Sequence, residues 1–132
     1  MSPATVLLVE THRDTREMYA EYLLAFRFTL MTADTTDEGL LRASDVDVVV
    51  TGIRVRGSFD GLELVRRLRQ REQTRETPVI VLSACAFETD RLRALDAGCD
   101  RFLPKPCLPH VLAATIRCLL TPAALRRSSR TA

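Results

Sequence analysis

The sequence predicts an α/β protein built on a doubly wound, five-stranded parallel sheet with helices on both faces. Three observations carry that expectation. Short, continuous apolar runs recur along the chain, as in strands covered on both faces. Between them lie segments whose apolar residues repeat at helical spacing. Strand-helix units in regular alternation require parallel pairing, because each helix returns the chain to the starting edge. At 132 residues with 46% hydrophobic side chains, the chain suits one core that buries roughly two-thirds of its unfolded surface.

Val6-Leu7-Leu8-Val9 reads as the first strand. Asp14, with Glu17 three residues on, is the expected cap of the first helix, which carries Met18, Tyr19, Tyr22, Leu23 and Phe26. Phe28 to Ala33 reads as a strand, and Thr35-Thr36-Asp37-Glu38 opens a short helix through about Ala43. Val46 to Thr51 is the third strand, followed by a loop from Gly52 to Gly61 and a helix marked by Leu62, Leu64, Val65 and Leu68. Pro78 introduces the strand Val79-Ile80-Val81-Leu82. Asp90 to Ala97 is the fourth helix, stopped by Gly98, and Arg101-Phe102-Leu103 is a short fifth strand. The last helix, near Pro109 to Leu120, places Val111, Leu112, Thr115, Ile116 and Leu119 on one side. Residues 1–120 thus form the domain, and residues 121–132 an Arg/Ser-rich tail read as disordered or as a linker.

Charge and cysteine content narrow the function classes. The net charge is +2, but Arg126, Arg127 and Arg130 lie in the tail, and without them the body is slightly acidic. No body-wide nucleic-acid field follows, so nucleic acid is not an expected partner of this domain. No apolar run reaches the roughly 18 residues of a membrane span, and no secretory signal is legible at the N-terminus, so a cytoplasmic location is expected. Cys85, Cys99, Cys107 and Cys118 include no Cys-x-x-Cys pair, which argues against structural zinc and for mostly buried free thiols. Cys85 and Cys107 should both lie just past neighbouring strands, so a redox pair stands as the alternative.

In an open parallel sheet the ligand site lies beyond the C-terminal ends of the strands, where their order reverses. That rule gathers Glu10, Thr11, Gly52, Ser83 and Lys105 into one shallow pocket. Every basic residue except Lys105 is arginine, so the arginine clusters reflect composition while the lysine invites a reason.

These positions give the chain a specific resemblance to the receiver domains of two-component response regulators, over about residues 5 to 120. Val6-Leu7-Leu8-Val9-Glu10-Thr11 resembles the family's apolar strand ending in two acids that hold magnesium, with only Glu10 acidic here. Val48-Val49-Val50-Thr51-Gly52 resembles the strand whose terminal aspartate accepts the phosphoryl group, and here that position is Gly52. Asp60-Gly61-Leu62-Glu63-Leu64 matches the start of the family's third helix, although the preceding loop is one residue longer and has Arg56 where proline is common. Val79-Ile80-Val81-Leu82-Ser83-Ala84 matches the hydroxyl-bearing strand, and Phe102-Leu103-Pro104-Lys105-Pro106 the lysine-proline signature.

The resemblance implies a flavodoxin-like strand order 2-1-3-4-5, a cis Lys105-Pro106 bond, and a degenerate phosphorylation pocket with weak or absent magnesium binding. It also implies a signalling partner such as a histidine kinase or an effector domain, and a homodimer through helix four, strand five and helix five. Several residues keep two readings. Glu10 is a remnant metal ligand or the ion-pair partner of Lys105, and Ser83 orients a phosphoryl oxygen or caps its strand. Phe102 is a rotating switch on the signalling face or a partial-core aromatic. Lys105, Arg54 and Arg56 could instead line a site for a small anionic ligand in the vacated pocket. No catalytic residue is identified: His12 has no nucleophile beside it and there is no Walker-type loop, so turnover is not expected.

Overall fold

The computed structural model describes residues 3–84 and 87–121. The chain alternates β1 (Thr5–Val9), α1 (Arg13–Ala25), β2 (Thr29–Ala33), α2 (Thr36–Arg42), β3 (Val48–Thr51), α3 (Gly61–Gln70), β4 (Val79–Ser83), α4 (Glu88–Ala97), β5 (Arg101–Pro104) and α5 (Pro109–Leu119), with one 3-10 turn at Ala43–Asp45. The strands pair in parallel in the order β2-β1-β3-β4-β5, the expected doubly wound sheet.

Period-two alternation divides the strand residues between two cores. Leu7, Val9, Val49, Val79 and Val81 face α2, α3 and α4, packing on Leu62, Leu64, Val65, Leu68, Ala94 and Ala97. Val6, Leu8, Val48, Val50, Ile80 and Leu82 face α1 and α5, packing on Tyr19, Leu23, Leu112, Ile116 and Leu119. All of these strand side chains are buried, which is why the strand runs read as continuously apolar.

Capping sets the helix starts and corrects one expectation. Thr35 Oγ1 accepts from the Glu38 N–H, and Asp60 Oδ1 from the Glu63 N–H. The first helix, by contrast, begins at Arg13 after His12, so Asp14 lies in its first turn instead of capping it, and Glu17 pairs with Arg13. Strand β3 starts at Val48 instead of Val46, and Asp47 Oδ2 accepts from the Thr5 N–H beside it. Helix α4 begins two residues earlier than its spacing suggests, at Glu88, with Asp90 Oδ2 accepting from the Phe87 N–H.

Two turns depend on backbone conformation. The chain leaves α1 through Arg27 at φ 69°, where the Phe28 N–H reaches the Leu23 carbonyl at 3.1 Å and the Arg27 N–H the Leu24 carbonyl at 3.0 Å. Gly98 ends α4 at φ 114°. At the strands' N-terminal end, Arg69 ties α3 to the turns before β4 and β5. Its guanidinium donates to the carbonyls of Gly98 at 2.9 Å and Thr77 at 2.6 Å and to Asp100 Oδ2 at 2.9 Å, and Asp100 also accepts from the Val79 N–H.

Cys99 and Cys107 are buried free thiols and Cys118 is exposed. Cys85 and most of the Arg/Ser-rich tail, from residue 122, lie outside the described residues, as does the Cys85–Cys107 pairing. No described helix is long and apolar enough to cross a membrane.

Candidate functional site

A cavity of about 270 Å³ opens at the C-terminal ends of β1, β3 and β4, where the strand order reverses. Glu10, Gly52, Ser83 and Lys105 line it, together with His12, Thr15, Ile53, Arg54, Leu82 and Ala84. Four of the five pocket residues expected from the sequence therefore meet in one place.

Glu10 follows β1 and is only 8% exposed. Its Oε2 accepts from the His12 N–H at 3.1 Å, its Oε1 accepts from Lys105 Nζ, and Arg16 donates to its carbonyl at 2.9 Å. Both carboxylate oxygens are thus engaged. Lys105 follows β5, its backbone N–H bonded to the Ser83 carbonyl at 2.9 Å and its peptide bond to Pro106 cis, as the family resemblance implies. The ammonium lies 6.0 Å from the ring centroid of Tyr19, and Tyr19 Oη accepts from the Cys107 N–H at 3.2 Å. Burial pushes the Tyr19 phenol above its ordinary value of 10.0. Helix α1 thereby holds the loop that carries Lys105.

Gly52 sits at the end of β3 and donates its N–H to the Val9 carbonyl at 3.2 Å. A Cβ added there would meet Val55 Cγ2 at 3.4 Å and the Leu82 carbonyl at 3.7 Å, ordinary contacts, so position 52 has room for a side chain. Gly61 is different. Its N–H bonds to the Ile53 carbonyl at 2.8 Å, and a Cβ there would overlap the Gly52 carbonyl oxygen. Close approach of α3 to the pocket floor requires glycine at 61 but not at 52.

Thr11 departs from expectation. It does not line the cavity; its Oγ1 donates to the Asp34 carbonyl at 3.0 Å and accepts from the Arg56 N–H at 2.7 Å. The Thr36 N–H in turn donates to the Arg56 carbonyl at 2.8 Å, so three loops are joined through one threonine hydroxyl. Asp37 pins the same loop by accepting from the Ser58 N–H at 2.8 Å, and hydrogen bonds from Ser58 hold its carboxyl below the ordinary carboxylate value of 3.8. Arg56 is consequently occupied through its backbone and does not reach the cavity, whereas Arg54 does. Phe102 is half-buried on β5 and packs against the core under α2, α3 and α4. The sequence reading missed Tyr19 as a support of the site, because a helical aromatic on an apolar stripe carries no mark of its long-range bond to Cys107.

The donor set does not fit a magnesium ion. Magnesium needs near-octahedral oxygen ligation anchored on one or two carboxylates. Among the described residues no group of three His, Cys, Asp or Glu side chains could hold a metal, and the one carboxylate lining this cavity is already paired with Lys105.

Comparison with known proteins gives the family. Residues 6–117 match the family model described as the response regulator receiver domain. The chain is 37% identical over 128 residues to the KDP operon transcriptional regulatory protein KdpE of Escherichia coli, covering 96% of this chain and 53% of that protein. It is 33% identical over 116 residues to the transcriptional regulatory protein CpxR of Klebsiella pneumoniae, covering 87% and 48%. The chain thus spans about half the length of these relatives. Among solved structures, chemotaxis protein CheY4 of Vibrio cholerae superposes with TM-score 0.81 at 25% identity, over 89% of this chain and 99% of that one. The signal receiver domain of a signal transduction histidine kinase from Syntrophus aciditrophicus gives 0.80 at 27% identity, over 89% of each chain. The chain belongs to the response regulator receiver domain family of two-component signalling.

Proposed function

We propose that this receiver is a protein-interaction module whose state is not set by aspartyl phosphorylation. The observation that supports it is Gly52. The residue stands at the end of β3, where the family resemblance places the acceptor carboxylate, and it lines the cavity with no side chain to attack a phosphoryl donor. Phosphoryl transfer also needs a cation to screen the charge on the donor, and the Glu10–Lys105 pair leaves no free carboxylate in the cavity to anchor one. Thr51 Oγ1 donates to the Gly52 carbonyl and Ser58 is tied to Asp37, so neither hydroxyl stands in for the missing acid.

The working surface in this reading is the α4–β5–α5 side. Phe87, Leu92, Leu95, Leu108 and Val111 are exposed there, and Phe102 on β5 is half-buried. A standard protein interface buries about 1,200–2,000 Å² and is anchored by such apolar side chains, so a histidine kinase, an effector domain or a second copy fits this face. The module binds rather than turns over substrate, and works in the cytoplasm. Incubation with acetyl phosphate and magnesium chloride should leave no hydroxylamine-sensitive acyl phosphate on the protein. Robust magnesium-dependent labelling of the wild type would overturn this reading.

A further inference from the structure

We propose that the cavity beside Gly52 binds a small monocarboxylate, an acetate-sized anion occupying the space of the carboxymethyl group that residue 52 lacks. The inference rests on the reading that this residue supplies no carboxylate of its own. Room is available, since a Cβ at 52 meets only ordinary contacts and the cavity measures about 270 Å³.

Its charges favour a single negative one. Glu10 is cancelled by Lys105, whereas Arg54, exposed at the rim, has no ion-pair partner among the described residues. Of the three N–H groups of the Lys105 ammonium, one is taken by Glu10, the one hydrogen-bond partner of Nζ among the described residues, so donors are left to aim at a second carboxylate. The wall chemistry separates a carboxylate from a phosphate. Ile53, Leu82 and Ala84 supply an apolar side that suits a methyl or short alkyl group. With Glu10 cancelled by Lys105, the surplus is the single positive charge of Arg54, which a monoanion balances and a phosphate dianion exceeds.

The test is an amide-resolved NMR titration in which sodium acetate replaces sodium chloride at constant ionic strength, with inorganic phosphate as a separate arm. The wild type should show saturable shifts concentrated at Gly52, Ile53, Arg54 and Ala84. Lys105→Met should weaken binding about tenfold or more, through loss of a charge-assisted hydrogen bond. Arg54→Ala, a change at an exposed side chain, should weaken it by a smaller factor. Gly52→Asp should abolish it by filling the space with a tethered carboxylate. Unsaturable or scattered shifts in the wild type, tighter binding of phosphate than of acetate, or acetate affinity unchanged in Gly52→Asp or in Arg54→Ala would each overturn the carboxylate site. These failures are separate from that of the non-phosphorylated reading, which only acyl-phosphate labelling of the wild type would reverse.

Discussion

Breaking the Glu10–Lys105 pair offers a quantitative check on the pocket. Lys105→Met keeps the apolar stem and removes the ammonium, leaving Glu10 with the His12 N–H as its remaining side-chain donor. The two side chains are 10% and 21% exposed, so the pair is neither a surface bridge nor fully dry. Exposed pairs contribute about 0–1 kcal/mol, and losing one partner of a buried pair costs about 3–5 kcal/mol. The geometry sets Lys105→Met between them, at about 1–3 kcal/mol. Glu10→Gln should cost less, because the amide oxygen still accepts a hydrogen bond and the ammonium keeps the Tyr19 ring beside it. The double variant should then cost less than the sum of the singles, with a coupling of about 1–2 kcal/mol. The chain has no tryptophan, so urea unfolding is best followed by helical circular dichroism. Additivity within about 0.5 kcal/mol would show that the two side chains do not interact in solution and would refute the argument.

Gly52→Asp should fold, since its Cβ has room, and should acquire only weak acyl-phosphate labelling; adding Thr11→Asp should speed it little, because position 11 faces Asp34 and Arg56 and not the cavity, measured as hydroxylamine-sensitive incorporation from acetyl phosphate. The Thr11→Asp change keeps an acceptor for the Arg56 N–H but loses the donation to Asp34, a stability cost of about 0.5–1.5 kcal/mol readable in the same urea curves. Arg27→Gly should raise stability by about 0.5–1 kcal/mol, because φ 69° is strained for arginine and free for glycine; a lower unfolding midpoint would contradict it. Burial pushes the Cys99 thiol from an ordinary 9.0 to about 11, so the folded state holds that proton more tightly and its contribution to stability falls as pH rises from about 9 to 11. Comparing unfolding of the wild type and Cys99→Ala across that window should show a steeper decline in the wild type.

The strands were legible because burial on both faces removes polar alternation, and Val6–Val9 and Val79–Leu82 have nothing else to do. The start of β3 was less legible, since Val46 is as apolar as the residues after it and only the remote Thr5–Asp47 bond marks the boundary. Lys105 was readable as the one lysine, and its partner as the one acid at the end of β1. The role of Thr11 was not, because its hydroxyl is claimed by groups 23 and 45 positions away that no local pattern connects. Tyr19 escaped for the same reason, its bond to Cys107 spanning 88 positions.

The placement of the chain's two described ends has a mechanical consequence. Pro3 and Ala4, leading into β1, share one depression with Leu120 and Thr121, which follow α5. This depression lies at the N-terminal end of the strands, opposite the cavity at Glu10 and Gly52. A neighbour seated at this depression therefore lies on the far side from the pocket, one strand length away, about 17 Å for the five residues of β1. Influence between such a neighbour and the pocket has to cross the sheet through the packed core or pass along its edge.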